Sequence, residues 1–201
     1  MTLRGLSDTR KRVDFQNEGA IIRSAQVGDI RAFERLVKHY QQRVISVACR
    51  IVGNQEDARD VAQDVFVRLY RFLPQFKNEK RFFTWLYRII VNTSYDFLKK
   101  KNRYRSVPLE DVPTDAPAMI DENEGSFGEI NQKIVELIET MSSPQKTAFI
   151  LRDVEGFSSK EIARIMECPE GTIRSHLHRA RKQLRILLEN NYPELLEGIV
   201  S

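Results

Sequence analysis

The sequence predicts an all-α protein made of two small helical domains joined by a flexible acidic linker. Apolar residues recur at helical spacing along most of the chain, which contains only 9 glycines and 7 prolines in 201 residues. Residues 106–129 break this pattern with seven acidic residues and no lysine or arginine. Residues 158–188 combine a short helix, a tight turn and a long basic helix. This order is typical of a helix-turn-helix, which places that motif in the second domain.

The N-terminal part begins with a segment that shows no helical pattern. We expect residues 1–17 to form a disordered extension. A short helix follows from Glu18 and stops at Gly28, since glycine commonly terminates helices. Asp29 is a good N-cap for the next helix, whose apolar stripe ends at Gly53.

Two further helices complete the predicted first domain. Asn54 begins a third helix, which ends before Pro74 because proline cannot continue the backbone hydrogen bonds. A fourth helix is predicted from about Phe82 to Lys101. Four helices with short connections make a compact bundle, so the first domain is predicted to span residues 18–102.

Residues 103–129 form the predicted linker. They contain three prolines and the seven acidic residues, a composition typical of a flexible, self-repelling segment. The net charge of the whole chain is +4, so the chain without its acidic run carries +11. This asymmetry indicates a polyanionic partner. Nucleic acid is favoured over a membrane because no lipid-insertion pattern accompanies the positive charge.

The second domain is predicted over residues 130–192, with a tail at 193–201. It opens with a helix whose apolar face runs from Ile130 to Met141. A second helix is expected to begin at Ser143 and to close at Gly156. Together with the two helices of the helix-turn-helix, this makes a second unit of four helices.

The helix-turn-helix depends on three local signals. Ser158 and Glu161 have the spacing of a capping box, and Pro169 and Gly171 mark a turn between two helices. The second helix has one apolar stripe formed by Ile173, Leu177, Ala180, Leu184 and Leu187. Its other faces are basic, with arginine, serine and histidine clustered near its start, where a recognition helix contacts base edges in a major groove.

Aromatic and basic side chains are concentrated between residues 76 and 104. Eight of the eighteen aromatic residues lie there, interleaved with lysines and arginines. Aromatic faces stack on unpaired bases while cations follow the phosphates, so the pattern favours contact with single-stranded DNA. Packing in the bundle core is the competing interpretation for several of these rings. A core does not explain, however, why the loop from Phe76 to Phe83 is both basic and aromatic.

The third helix carries a polar face opposite its apolar stripe. This face consists of Asp57, Asp60, Gln63, Asp64 and Arg68. A solvated surface is one interpretation of such a face, and a docking surface for a partner protein is the other.

No catalytic or metal-binding constellation is apparent in the sequence. His176 and His178 are two residues apart, which puts their rings on different helix faces and disfavours a zinc site. Cys49 and Cys168 fit small core residues in a reducing compartment, with a disulfide as the lesser alternative. Neither a signal peptide nor a membrane span is predicted. We therefore expect a cytoplasmic protein that is not an enzyme and needs no cofactor or metal.

Over residues 18–190 the sequence resembles the extracytoplasmic-function sigma factors of bacterial RNA polymerase. Four stretches carry the resemblance in the expected order. They are Gly28-Asp29 with Ala32-Phe33 and Tyr40, the run from Asp57 to Phe66, the run from Phe83 to Asn92, and the run from Glu161 to Arg181. The resemblance implies a protein that carries core RNA polymerase to particular promoters and helps to open them.

The resemblance also implies three contact sites. The first would dock on the polymerase clamp and comprises Asp57, Asp60, Gln63, Asp64 and Arg68. The second would hold the melted minus-10 element and comprises Phe76, Lys77, Asn78, Lys80, Phe82, Trp85, Arg88 and Asn92. The third would read the duplex minus-35 element and comprises Arg174, Ser175, His178, Arg179 and Arg181.

The resemblance implies partners as well. The acidic linker would thread towards the RNA exit path of the polymerase, and an anti-sigma factor, often membrane-bound in this family, would hold the protein inactive. His178 and His176 depart from the aromatic and basic residues found in some relatives, so the promoter sequence does not carry over. Two other interpretations remain: a stand-alone helix-turn-helix regulator, which leaves the aromatic loop unexplained, and a protein-interaction adaptor, which needs no basic-aromatic stretch.

Overall fold

The computed structural model describes residues 18–77, 81–105, 138 and 140–191. These residues contain seven α-helices and no strand, which confirms the all-α prediction. The helices are α1 (Glu18–Gln26), α2 (Ile30–Val52), α3 (Gln55–Phe72), α4 (Phe82–Arg105), α5 (Ser143–Phe149), α6 (Ser159–Ile165) and α7 (Glu170–Asn191). They belong to two units, an N-terminal bundle of α1–α4 and a C-terminal unit built on α5–α7.

Local capping interactions fix the ends of α2 and α3 as the sequence predicts. The Asp29 carboxylate accepts hydrogen bonds from the backbone N–H groups of Arg31 and Ala32, at 2.9 and 3.2 Å. Gly53 closes α2 in the left-handed region at φ 93°, a conformation that favours glycine. The Asn54 side chain then accepts a hydrogen bond from the backbone N–H of Asp57 at 2.8 Å and starts α3.

The N-terminal bundle is held together by the apolar stripes of its helices. Helix α2 packs against α1, α3 and α4, and α3 also packs against α4. The buried side chains include Leu36, Val44, Val47, Val61, Val65, Leu69, Leu86 and Ile90. Each large apolar side chain buried in this way stabilises the bundle by about 1.5–3 kcal/mol relative to its exposed state.

A 3₁₀ turn, Leu73–Gln75, follows α3 directly. Pro74 lies within this turn, as expected for a residue that cannot extend α3. Helix α4 continues to Arg105, so the predicted boundary between bundle and linker at residues 102 and 103 falls inside this helix. The predicted extension at 1–17, the acidic run at 106–129 and the tail at 193–201 lie outside the described residues.

The C-terminal unit has a small core between α5 and α7. Its buried members include Ile138, Met141, Phe149, Ala180 and Leu184. The helix predicted from Ser143 to Gly156 is present, but its closure changes along its length: α5 runs to Phe149, and a π-helical turn, Ile150–Val154, continues it directly. The Glu155 N–H donates to the Ile150 carbonyl at 2.9 Å, which widens this turn by one residue. Most of the helix predicted to open the domain lies outside the described residues.

Within the described ranges, none of the helices is long and apolar enough to cross a membrane.

Candidate nucleic-acid interfaces

The N-terminal bundle contains a concavity of ≈ 430 Å³ between the end of α3, the 3₁₀ turn and the exposed side of α4. Its lining residues are Arg68, Phe72, Gln75, Phe76, Lys77, Trp85, Arg88, Ile89 and Asn92. Five of the eight residues predicted to contact the minus-10 element therefore meet in one place. Phe72, Gln75 and Ile89 were missed by the sequence analysis, and their position beside the turn is evident only in three dimensions.

A stacked pair of aromatic rings forms one wall of the concavity. The rings of Phe76 and Trp85 lie 4.5 Å apart between centroids with an interplanar angle of 17°. Both side chains are half-buried, so each ring retains surface exposed to solvent. Parallel, partly exposed rings offer a planar apolar surface of the kind on which an unpaired base stacks.

Phe82 differs from its expected role. Its side chain is only 1% exposed, and its ring packs edge-on against Phe76 at 5.9 Å and tilted against Tyr40 at 5.6 Å. Because the Phe82 ring is enclosed in this way, it packs under Phe76 and has no face free to stack on a base. This corrects the prediction that Phe82 contacts the minus-10 element. Asn78 and Lys80, which were predicted to act with it, lie outside the described residues.

Polar side chains surround the aromatic wall. Lys77 and Arg88 are exposed and Asn92 is half-buried, so cations and an amide border the same space. Arg68, predicted to dock on polymerase, also lines the concavity and donates a hydrogen bond to Asp96 at 2.7 Å. Because both members of this ion pair are solvent-accessible, it contributes less than about 1 kcal/mol and leaves Arg68 able to exchange partners.

The polymerase-docking residues predicted on α3 separate into three groups, one of which is Arg68 at the concavity. Asp60, Gln63 and Asp64 are exposed and lie on one side of the helix. Asp57 is instead engaged at the start of α3, where its carboxylate accepts hydrogen bonds from Asn54 and Lys101. Val67, one turn beyond Gln63, is 60% exposed and adds an apolar residue that the sequence analysis did not select.

The helix-turn-helix of the C-terminal unit is built as predicted. The Ser158 N–H and hydroxyl donate to the Glu161 carboxylate at 2.8 and 2.6 Å, and the Glu161 N–H donates to Ser158 Oγ at 3.3 Å. This reciprocal capping box starts α6. Helix α7 begins directly after Pro169, whose carbonyl accepts the N–H of Thr172 at 2.9 Å. The apolar stripe of α7 is buried from Ile173 to Leu184.

All five residues predicted to read the minus-35 element are exposed on α7, and four of them lie near its start: Arg174, Ser175, His178 and Arg179. Arg174 donates to Glu170 at 2.8 Å in an exposed i,i+4 pair, which is weak enough to exchange for a DNA contact. Arg179 is exposed one residue further along the helix than His178.

Arg181 differs from the other residues of this set. Its Nη2 donates to both carboxylate oxygens of Asp153, at 2.8 and 3.1 Å. The Asp153 side chain is only 5% exposed and belongs to the π-helical turn. The Arg181 guanidinium therefore compensates a buried charge inside the C-terminal unit, while its side chain is 46% exposed, and its contact with DNA stays a prediction.

Groups of side chains that could bind a metal ion or act as nucleophiles are few in the described part of the chain. No three His, Cys, Asp or Glu side chains converge there in a way that could hold a metal ion. Cys49 and Cys168 are not joined in a disulfide. Burial raises the pKa of the Cys168 thiol, which keeps it protonated and weakly nucleophilic.

Family models match both units of the chain. Sigma-70 region 2 matches residues 36–104, and Sigma-70 region 4 matches residues 131–184. The ECF RNA polymerase sigma-E factor of Haemophilus influenzae is 36% identical over 188 residues, covering 88% of this chain and 96% of the relative. The RNA polymerase sigma-H factor of Pseudomonas aeruginosa is 32% identical over 184 residues, covering 84% and 92%.

Solved structures share the fold. The structure of CnrH in complex with the cytosolic domain of CnrY matches with a TM-score of 0.63 at 22% identity, covering 87% of this chain and 98% of the other. The sigma factor RpoE, solved with the anti-sigma factor NepR from Bartonella quintana, matches with a TM-score of 0.63 at 23% identity, covering 81% and 99%.

A helical bundle with an aromatic-basic concavity and a second unit with a helix-turn-helix, matched respectively by regions 2 and 4, define a sigma factor of the sigma-70 class. Within that class, the chain belongs to the extracytoplasmic-function sigma factors of bacterial RNA polymerase. It is an alternative sigma factor, which binds core polymerase and directs it to promoters for transcription initiation. The stand-alone regulator is not favoured.

Proposed function

We propose that the concavity of the N-terminal bundle holds an unpaired base of the minus-10 element while the promoter opens. The Phe76–Trp85 stack carries this proposal, because its partly exposed rings lie beside the cations Lys77 and Arg88 and the amide of Asn92. Stacking on an aromatic side chain contributes about 1–3 kcal/mol per base, and the cations attract the phosphates on either side. The predicted first domain, residues 18–102, would thus recognise and melt the minus-10 element.

The test uses polymerase reconstituted from core enzyme and the full chain, with a promoter selected from a randomised duplex library. We expect Trp85→Ala to reduce run-off transcription from a duplex template and also affinity for a template melted in advance. Tyr70→Ala is the matched control, since Tyr70 is exposed and lies outside the concavity. Wild-type affinity of Trp85→Ala for the pre-melted template would contradict a base-binding site.

We propose that the exposed side of α3 docks on the polymerase clamp. Asp60, Gln63 and Asp64 give this side a negative, hydrogen-bonding surface, and Val67 supplies an apolar contact. Asp64→Lys is expected to weaken binding to core polymerase without changing affinity for pre-melted DNA. Glu34→Lys makes the same charge change at an exposed position of α2 and is expected to bind core polymerase normally. Equal loss in both variants would point to a general charge effect.

We propose that α7 reads the minus-35 duplex through its N-terminal half. Arg174, Ser175, His178 and Arg179 are exposed there, while the buried stripe fixes the helix against the rest of the C-terminal unit. The predicted second domain, residues 130–192, would thus choose the upstream position of the polymerase. The acidic linker predicted at 103–129 would then pass towards the RNA exit path of the polymerase, where its charge resembles that of nucleic acid.

We also propose that the protein acts in the cytoplasm, performs no chemistry itself and is held inactive by an anti-sigma factor. Exposed apolar side chains on the N-terminal bundle, including Ile30, Val67 and Tyr70, are surfaces that a partner would cover. Tyr70→Ser is expected to raise promoter activity in the native host while affinity for core polymerase is unchanged. Unchanged promoter activity in that variant would count against inhibition through this surface.

A further inference from the structure

The last residue of α1 reaches the turn that presents Phe76. The side-chain amide of Gln26 donates hydrogen bonds from Nε2 to the carbonyl of Leu73, at 3.2 Å, and to the carbonyl of Phe76. These acceptors lie 47 and 50 residues further along the chain. One side chain of α1 therefore binds both ends of the 3₁₀ turn.

The turn determines where the Phe76 ring lies. The Phe76 N–H donates to the Leu73 carbonyl at 3.0 Å, and at Phe76 the backbone becomes extended, with φ −74° and ψ 120°. The helical backbone of the turn therefore ends at Phe76. The contact from Gln26 is placed at this transition and fixes the carbonyl of the residue whose ring stacks on Trp85.

Gln26 lies at the end of a helix that is anchored in the bundle core. Ile22 and Ala25 anchor α1 in the bundle core, and Leu73 at the start of the turn is also buried. Immediately after Gln26, the chain turns through Gly28, which adopts φ +94° and donates its N–H to the Ala25 carbonyl at 3.1 Å. The amide therefore projects from the end of an element that is packed into the bundle core.

We propose that Gln26 is a positioning residue for capture of the unpaired base, acting through Phe76 without touching DNA. Gln26 is not among the lining residues of the concavity. This inference depends on the proposed function of that concavity. Without the Gln26 amide, the carbonyls of Leu73 and Phe76 lose a shared donor, the turn loosens, and the Phe76 ring no longer stays stacked on Trp85.

The perturbation is Gln26→Glu, which keeps the size of the side chain but replaces the donor with a charge that repels the two carbonyls. Gln26→Met removes the donor without adding charge. Val27→Ala is the matched control, because Val27 is the next residue and is 86% exposed. Ile22→Val is a second control, which weakens the packing of α1 and leaves Gln26 unchanged.

The assay measures affinity of the reconstituted polymerase for a pre-melted promoter, affinity of the sigma factor for core polymerase, and the Tm of the full chain. Trp85 is the only tryptophan, so its fluorescence in the full chain also reports the environment of the stacked pair. We expect both Gln26 variants to lower affinity for pre-melted DNA about tenfold, the size expected for two lost neutral hydrogen bonds. Core affinity should stay within about twofold, and Trp85 fluorescence should change.

Three outcomes would overturn the inference. Wild-type DNA affinity in Gln26→Glu, with Trp85→Ala still defective, would refute the positioning role alone. An equal loss of DNA affinity in Ile22→Val at a similar Tm would show that stability of α1 is sufficient to explain the defect. Wild-type DNA affinity in Trp85→Ala would instead refute the proposed function, and with it the role of Gln26.

Discussion

The ion pair between Arg181 and Asp153 gives a quantitative prediction about the C-terminal unit. The change is Arg181→Met, which keeps much of the aliphatic volume and removes the guanidinium. Two hydrogen bonds, at 2.8 and 3.1 Å, are then lost from a carboxylate whose side chain is only 5% exposed. Leaving such a charge unpaired strongly destabilises the folded state, because the carboxylate has already lost its water.

The expected loss of stability depends on how far the Asp153 carboxylate and the Arg181 guanidinium are exposed to water. Removing one partner of a fully buried ion pair costs about 3–5 kcal/mol, and a hydrogen bond to a charged group contributes about 1.5–3 kcal/mol. The Arg181 side chain is 46% exposed, so water replaces part of the lost interaction. We therefore expect the free energy of unfolding of the C-terminal unit to fall by about 2 kcal/mol.

Hydrogen exchange in the full chain measures this effect locally. A loss of about 2 kcal/mol corresponds to roughly thirtyfold faster exchange of the protected amides in α7 and the π-helical turn. Arg185→Met is the control, since its ion pair with Glu189 is exposed, and it should change exchange by no more than about twofold. Exchange in Arg181→Met no faster than in Arg185→Met would refute the structural role of Arg181.

Three further predictions concern DNA binding and pH. Arg179→Ala should cost about 1–3 kcal/mol in binding of the minus-35 duplex and relax specificity at one base pair, measured on single-base variants; a uniform loss would indicate a phosphate contact. Replacing the exposed Lys99 and Lys100 with glutamine should flatten the plot of log affinity against log salt by about 1–2 units, and an unchanged slope would reject phosphate contacts. Burial lowers the pKa of His39 below its ordinary 6.5, with Arg43 lowering it further and Glu18 opposing the shift. As the pH falls, the unfolded chain therefore takes up the proton before the folded protein does. The stability that depends on a neutral His39 is complete above about pH 6.5 and is lost as the pH falls below it. Urea denaturation at pH 7.5 and 5.5, followed by Trp85 fluorescence, should show a smaller pH effect in His39→Gln, and an equal effect would exclude His39.

Helix ends and apolar stripes could be predicted because their causes are local. The caps at Asp29, Asn54 and Ser158 bind backbone groups within three residues, so the sequence alone contains both partners. The buried stripe of α7 likewise follows from spacing along one helix. These local features also made the helix-turn-helix recognisable before its geometry was known.

Contacts between distant parts of the chain could not be predicted in this way. Periodicity does not reveal which of several neighbouring aromatic rings turns inward, so Phe82 was assigned to the DNA surface although it lies in the core. Gln26 has no distinguishing pattern, since its acceptors are backbone carbonyls about fifty residues away. In the sequence, Arg181 does not differ from the other basic residues of α7. Only the structure shows that Asp153, 28 residues earlier, lies beside it.

The π-helical turn has a consequence for chain length. Its i→i+5 closure accommodates one residue more than an α-helical turn would. Deleting one residue of this segment would return it to α-helical closure and leave the residues that follow in nearly the same orientation, because the wide turn already absorbs the additional residue. Substituting Asp153, in contrast, removes the carboxylate that Arg181 binds. We therefore expect this segment to tolerate the loss of one residue other than Asp153 better than the replacement of Asp153 itself.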